Sequence, residues 1–193
     1  MNTEVEKLAG SPSKSLADEP VQLTLMSEEE PDLFAFDSGF RAECGAVCGI
    51  DEAGRGPLAG PVTVAAVILP PHWFCPGLND SKKVTPKHRE EIAAKIYESA
   101  VDVSVVSLPP EEIDAVNIYE ATMMAMYQAV KNLTARPEAV IVDAMPLHFH
   151  CPTESLIHGD AKSASVAAAS IVAKVYRDHL MDEYDRQYIF FPK

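Results

Sequence analysis

From Gly45 onward, short apolar, β-branched runs alternate with longer helical patterns, and three acidic sites sit where an apolar run gives out. Residues 46–53 and 61–69 read as two strands, the second rich in Val, Ile and Ala. Thr85-Pro86 supplies an N-cap and a first-turn proline for a helix to about Ser99. Residues 101–108 alternate with period two and form a third strand. Pro109-Pro110-Glu111-Glu112 opens a short helix, and residues 118–132 continue as a longer one whose Met123, Met124 and Met126 read as core. Residues 138–143 and 154–158 give a fourth and a fifth strand. The longest helical pattern is 163–186, with an Ala/Val/Ile-rich first half that must be buried. The order β-β-α-β-α-α-β-β-α predicts an α/β fold, a mixed sheet of about five strands flanked by helices.

Residues 1–44 read as an acidic, largely disordered N-terminal extension, with the compact domain at 45–193. Ser11-Pro12-Ser13-Lys14-Ser15 is punctuated like a linker, and Glu28-Glu29-Glu30-Pro31-Asp32 is a solvated acidic run. Within the extension, Leu33, Phe34, Phe36 and Phe40 give residues 32–43 the pattern of a docking helix. There is no basic, then apolar, leader at the N-terminus, and the longest apolar stretch, 62–69, is too short to cross a bilayer. Cys44, Cys48, Cys75 and Cys151 lack a secretory context, so a reduced, cytoplasmic protein is expected; a monomer is the default expectation. Of the net charge of −13, residues 1–45 hold ten acidic and three basic side chains, leaving −6 for the rest. An acidic chain lacks the footprint of a purely electrostatic nucleic-acid module. Carboxylates that hold divalent cations are compatible with it, because the cations reverse the local field.

Asp51-Glu52 follows Val47-Cys48-Gly49-Ile50, Asp143 follows Ala139-Val140-Ile141-Val142, and Asp160 follows Leu156-Ile157-His158-Gly159. In open α/β sheets ligands sit at strand ends, so acids delivered there converge on one cleft. Oxygen-only donors suit Mg²⁺ or Mn²⁺ rather than zinc. A single such Asp is more often a solvated strand end; three sites in one small domain turn the balance towards a cation site. Gly54-Arg55-Gly56-Pro57-Leu58-Ala59-Gly60-Pro61 follows the first acids and lets backbone approach a ligand, with Arg55 able to meet a phosphate. It is neither a Walker A loop nor a dinucleotide fingerprint. His148, His150, Cys151 and His158 have zinc-ligand chemistry, but their spacing matches no recognised zinc pattern.

The segment from Gly49 to Val62 resembles the signature of the type 2 ribonucleases H, specifically the bacterial ribonuclease HII family. Asn79-Asp80-Ser81-Lys82-Lys83, Ile113-Asp114 with Asn117-Ile118, Ile141 to Met145, and Gly159-Asp160-Ala161-Lys162-Ser163 leading to Arg177-Asp178 resemble it in the same order. The resemblance implies a ribonuclease H-like fold. It also implies cleavage of the RNA of RNA–DNA hybrids and 5′ of ribonucleotides embedded in duplex DNA, with 3′-hydroxyl and 5′-phosphate ends. Asp51, Glu52, Asp143 and Asp160 would be catalytic and bind two Mn²⁺ or Mg²⁺ ions. Gly54, Arg55 and Gly56 would read the ribose 2′-hydroxyl. Lys82, Lys83 and Ser163 would touch phosphates, Asn117 the DNA strand, and Asp178 would be structural. In this family the chain runs on past the stretch matching Tyr184–Tyr188 into a segment whose tyrosine stacks near the ribonucleotide. Here Ile189-Phe190-Phe191-Pro192-Lys193 follows, which reads as a truncated or frameshifted tail. A rival reading keeps the fold and drops the catalysis, leaving a remnant that binds metal and nucleic acid.

Overall fold

The computed structural model describes residues 32–187; the linker-like and acidic runs of residues 1–31 and the tail after Gln187 lie outside the described residues. Five strands form one sheet in the order β3-β2-β1-β4-β5. They are β1 (Val47–Ala53), β2 (Val62–Ile68), β3 (Asp102–Leu108), β4 (Ala139–Asp143) and β5 (Thr153–Leu156). The first three form an antiparallel meander, while β4 and β5 run parallel to β1. The predicted strands and helices are all present, in the expected order.

The pleat sorts the core. Cys48 and Ile50 of β1, Val64 and Ala66 of β2, and Val140 and Val142 of β4 pack with Ala125, Met126 and Ala129 of α4 (Ile118–Asn132). Intervening residues face the other side, where Ala65 and Val67 meet α2 (Pro86–Ser99) and α5 (Ala164–Gln187). The Ala-rich first half of α5 exists for this contact. Without bulky side chains the helix lies so close to β1 that a Cβ on Gly49 would overlap the Ser165 carbonyl group. The short α3 (Pro110–Val116) leads into α4 through Asn117, whose φ of 84° turns the chain.

The compact body starts earlier than the sequence suggests. The helix α1 (Leu33–Cys44) forms where the apolar pattern places it, capped by Asp32, and it packs against α5 rather than belonging to a loose extension ending at residue 44. Leu33 and the half-buried Phe34 and Phe40 join the core, and Asp37 is buried against α5. Among the described residues no helix is long and apolar enough to cross a membrane.

Candidate metal centre

The β1–β4 register brings the first acids together. The last ladder pair is Ile50 with Val142, so Asp51 and Asp143 follow it on neighbouring strands, about 4.8 Å apart by sheet geometry. Both alternate with residues on the α4 side and therefore face α5. Glu52 occupies the opposite pleat, yet lines the same pocket, because β4 stops at Asp143 and leaves the β1 end open. Asp160 arrives differently from the sequence expectation. The fifth strand ends at Leu156, and Asp160 sits on a single 3₁₀ turn (Gly159–Ala161) entered through His158 with φ 58°. The turn is tied to β4 by the Gly159 N–H, which donates to Asp143 Oδ1 at 2.6 Å.

All four acids line one cavity of about 380 Å³, shared with Gly54, Arg55, Gly56, Ser81, Lys82, Ser170, Lys174 and Arg177. Asp51 and Asp160 are only 5% and 6% exposed. Burial pushes the Asp51 carboxyl well above the usual carboxylate range, reinforced by Glu52 and Asp143. Burial also raises Glu52, with Asp143 adding to the rise and Arg55 opposing it. Asp160 is raised by burial, then by Asp80 and Asp143, with Lys82 opposing. Burial and the neighbouring acids thus make the charged forms of Asp51, Glu52 and Asp160 costly.

One atom decides the fit to a cation. Glu52 Oε2 is buried and has no hydrogen-bond partner, an arrangement that costs about 1–3 kcal/mol unless something electropositive sits against it. An all-oxygen set with an orphaned carboxylate oxygen fits Mg²⁺ or Mn²⁺. Among the described residues no three acids, histidines or cysteines close into a finished ligand cluster, so the carboxylates stand as walls of an open pocket.

The loop after β1 is fixed from beneath. Arg177 of α5 is buried and donates to the carbonyls of Pro61 and Ala59, both at 2.9 Å. Gly54, at φ 105°, leaves room for that guanidinium: a Cβ would overlap Arg177 and the Pro61 carbonyl. Gly56 faces open space instead. Arg55 lines the pocket, 3.7 Å from Glu52 and 5.8 Å from the Tyr119 ring centre.

The remaining sequence candidates separate. Lys82 lines the pocket; Lys83 is exposed beside it and does not. Asn117 lies outside, its side-chain oxygen capping α4 through the Tyr119 and Glu120 N–H groups. Ser163 is fully buried and donates its hydroxyl to Asp37 at 2.6 Å. The anion at the start of α5 is therefore the chain's own carboxylate, and Ser163 is not presented to a phosphate. Asp178 pairs with Arg89 at 3.2 Å and with Lys174. Sequence reasoning gave no role to Ser170, Lys174 and Arg177, although their i, i+4, i+7 spacing puts them on one face of the helix.

Residues 48–192 match the family model described as Ribonuclease HII. The chain belongs to the ribonuclease HII family. A family member from Lactobacillus gasseri is 52% identical over 157 residues, covering 81% of this chain and 63% of that protein. One from Geobacillus thermodenitrificans is 56% identical over 142 residues, covering 74% of this chain and 55% of its own length. The chain thus spans less than two thirds of these curated relatives. Among solved structures, ribonuclease H2 from Pyrococcus horikoshii superposes with a TM-score of 0.69 at 28% identity, covering 77% of this chain and 79% of its own. That likeness supports the ribonuclease H-like sheet described above.

Proposed function

We propose that this chain carries the catalytic site of a divalent-cation-dependent endoribonuclease. It would hydrolyse the RNA of RNA–DNA hybrids and cut 5′ of ribonucleotides embedded in duplex DNA, giving 3′-hydroxyl and 5′-phosphate ends. The observation that carries this reading is the buried, unpartnered Glu52 Oε2 among four carboxylates, beside a glycine loop, in a chain of this family.

Asp51, Glu52, Asp143 and Asp160 would hold two Mg²⁺ or Mn²⁺ ions. The chemistry supplied there is activation of an attacking water and stabilisation of the leaving 3′ oxygen. The chain's own groups bind and orient. The open side of Gly56 admits a ribose edge against the backbone, where the 2′-hydroxyl distinguishes RNA from DNA. Arg55, steadied by Glu52 and Tyr119, offers a guanidinium to a phosphate at the mouth. Lys82 supplies a cation at the pocket wall; exposed Lys83 and Asn117 would meet the duplex farther along.

The test is cleavage of a labelled DNA duplex carrying one ribonucleotide, with Mn²⁺ or Mg²⁺, beside an Asp51→Asn control. A cation-dependent cut 5′ of the ribonucleotide, lost in the control, is the expected result. No cut by folded, cation-bound protein would overturn the proposal and leave a fold that binds without catalysing.

A further inference from the structure

The turn between β5 and α5 does two things for the pocket: it carries Asp160, and its Gly159 N–H holds Asp143 Oδ1 at 2.6 Å. Its own support comes from α1, outside the segment that matches the family model. The Gly159 carbonyl accepts the Ser163 N–H at 2.8 Å, and the Ser163 hydroxyl donates to Asp37 Oδ1 at 2.6 Å. The other oxygen of Asp37 accepts the Ser165 N–H at 2.8 Å and the Ser165 hydroxyl. Asp37 is only 1% exposed, so this carboxylate caps the first turn of α5 from another helix and complements its dipole. Arg41, one turn along α1, lies 3.7 Å from Asp37 and donates to the Ser165 hydroxyl at 3.2 Å, which keeps the buried charge paired.

We propose that Asp37 is a positioning residue of the carboxylate site, acting through Ser163 and Gly159 to fix the turn that presents Asp160 and to orient Asp143. The inference rests on reading those acids as cation ligands. Groups that orient ligand carboxylates through hydrogen bonds tune cation affinity even though they touch no cation. A cap serving stability alone would lower the melting temperature and leave cation affinity where it was.

Two hydroxyl deletions separate these roles. Ser163→Ala cuts the link from Asp37 to the Gly159 turn, whereas Ser165→Ala removes a bond to the same carboxylate on the side away from it. Mn²⁺ affinity is measured by calorimetric titration of the full chain without nucleic acid, with melting temperatures recorded alongside. Ser163→Ala and Asp37→Asn are expected to weaken Mn²⁺ binding about tenfold, and Ser165→Ala to leave it within about twofold, although all three melt lower. Should Asp37→Asn fail to fold, Ser163→Ala carries the comparison. Wild-type affinity in Ser163→Ala, or an equal loss in Ser165→Ala, would overturn this inference alone. Wild-type protein that takes up no Mn²⁺ would overturn the proposed function and this inference with it.

Discussion

The carboxylates of the pocket are held against their own preference. Burial and mutual repulsion raise Asp51, Glu52 and Asp160, so each keeps its proton more tightly folded than unfolded. Between the ordinary carboxylate value of about 4 and the raised values, the native chain binds more protons than the unfolded one, and stability falls as pH rises. In chelator, Asp51→Asn should therefore melt above the wild type at pH 8, with the gap closing towards pH 5. Each kcal/mol relieved would appear as about 2–4 °C. On the proposed function, the same variant with Mn²⁺ present should lose cleavage by more than about a hundredfold, since losing a proposed ligand costs more than losing a group that orients one. The two glycines flanking Arg55 should behave oppositely. Gly54→Ala forces a Cβ into Arg177 and the Pro61 carbonyl at φ 105° and should cost about 1–3 kcal/mol in urea unfolding. Gly56→Ala meets open space and should melt like the wild type while losing affinity for ribonucleotide-containing duplex.

At the level of elements, α5 is the spine of the site. Its small residues let it lie on β1, and its stripe of Ser170, Lys174 and Arg177 faces the pocket at successive turns. Ser170 donates to Ser81 at 3.0 Å, which joins the helix to the loop bearing Lys82. Arg177→Met should leave the Ala59 and Pro61 carbonyls without their charged donor and destabilise the protein by about 2–4 kcal/mol in urea unfolding. The elements were legible in the sequence because their apolar periods are strong: α4 runs over the predicted residues, and β1 to β4 begin within one residue of expectation. The fifth strand was less legible. It is four residues long and partly exposed, and among the described residues it pairs only with β4, so no buried face constrained its limits, and the chain turns at His158 before Asp160.

For the whole molecule, a pocket that holds cations as proposed would couple folding to cation binding. A cation that binds only the native state adds about 2.7 kcal/mol at a hundredfold excess over its Kd. Mn²⁺ should therefore raise the melting temperature by about 5–10 °C at pH 8. The rise should be smaller at pH 6, where the cation must displace protons from the raised carboxyls. Differential scanning fluorimetry across pH, with Asp51→Asn as the control that loses most of the effect, measures both.

The sequence determined the layer architecture and the order of elements, because hydrophobic period is local and survives in one dimension. Tertiary structure decided which neighbours each acid keeps. Parallel pairing of β1 with β4, whose paired residues lie 92 positions apart in the chain, sets Asp51 beside Asp143. Packing of α5 across the sheet then puts Arg177 under the glycine loop. The same packing turned Ser163 inward: a hydroxyl at the start of a helix reads as an exposed cap until another helix arrives with a carboxylate to receive it. Asp37 shows the converse. A lone acid on an amphipathic stretch looks solvated in sequence, and only the docking of α1 against α5 buries it and gives its charge partners.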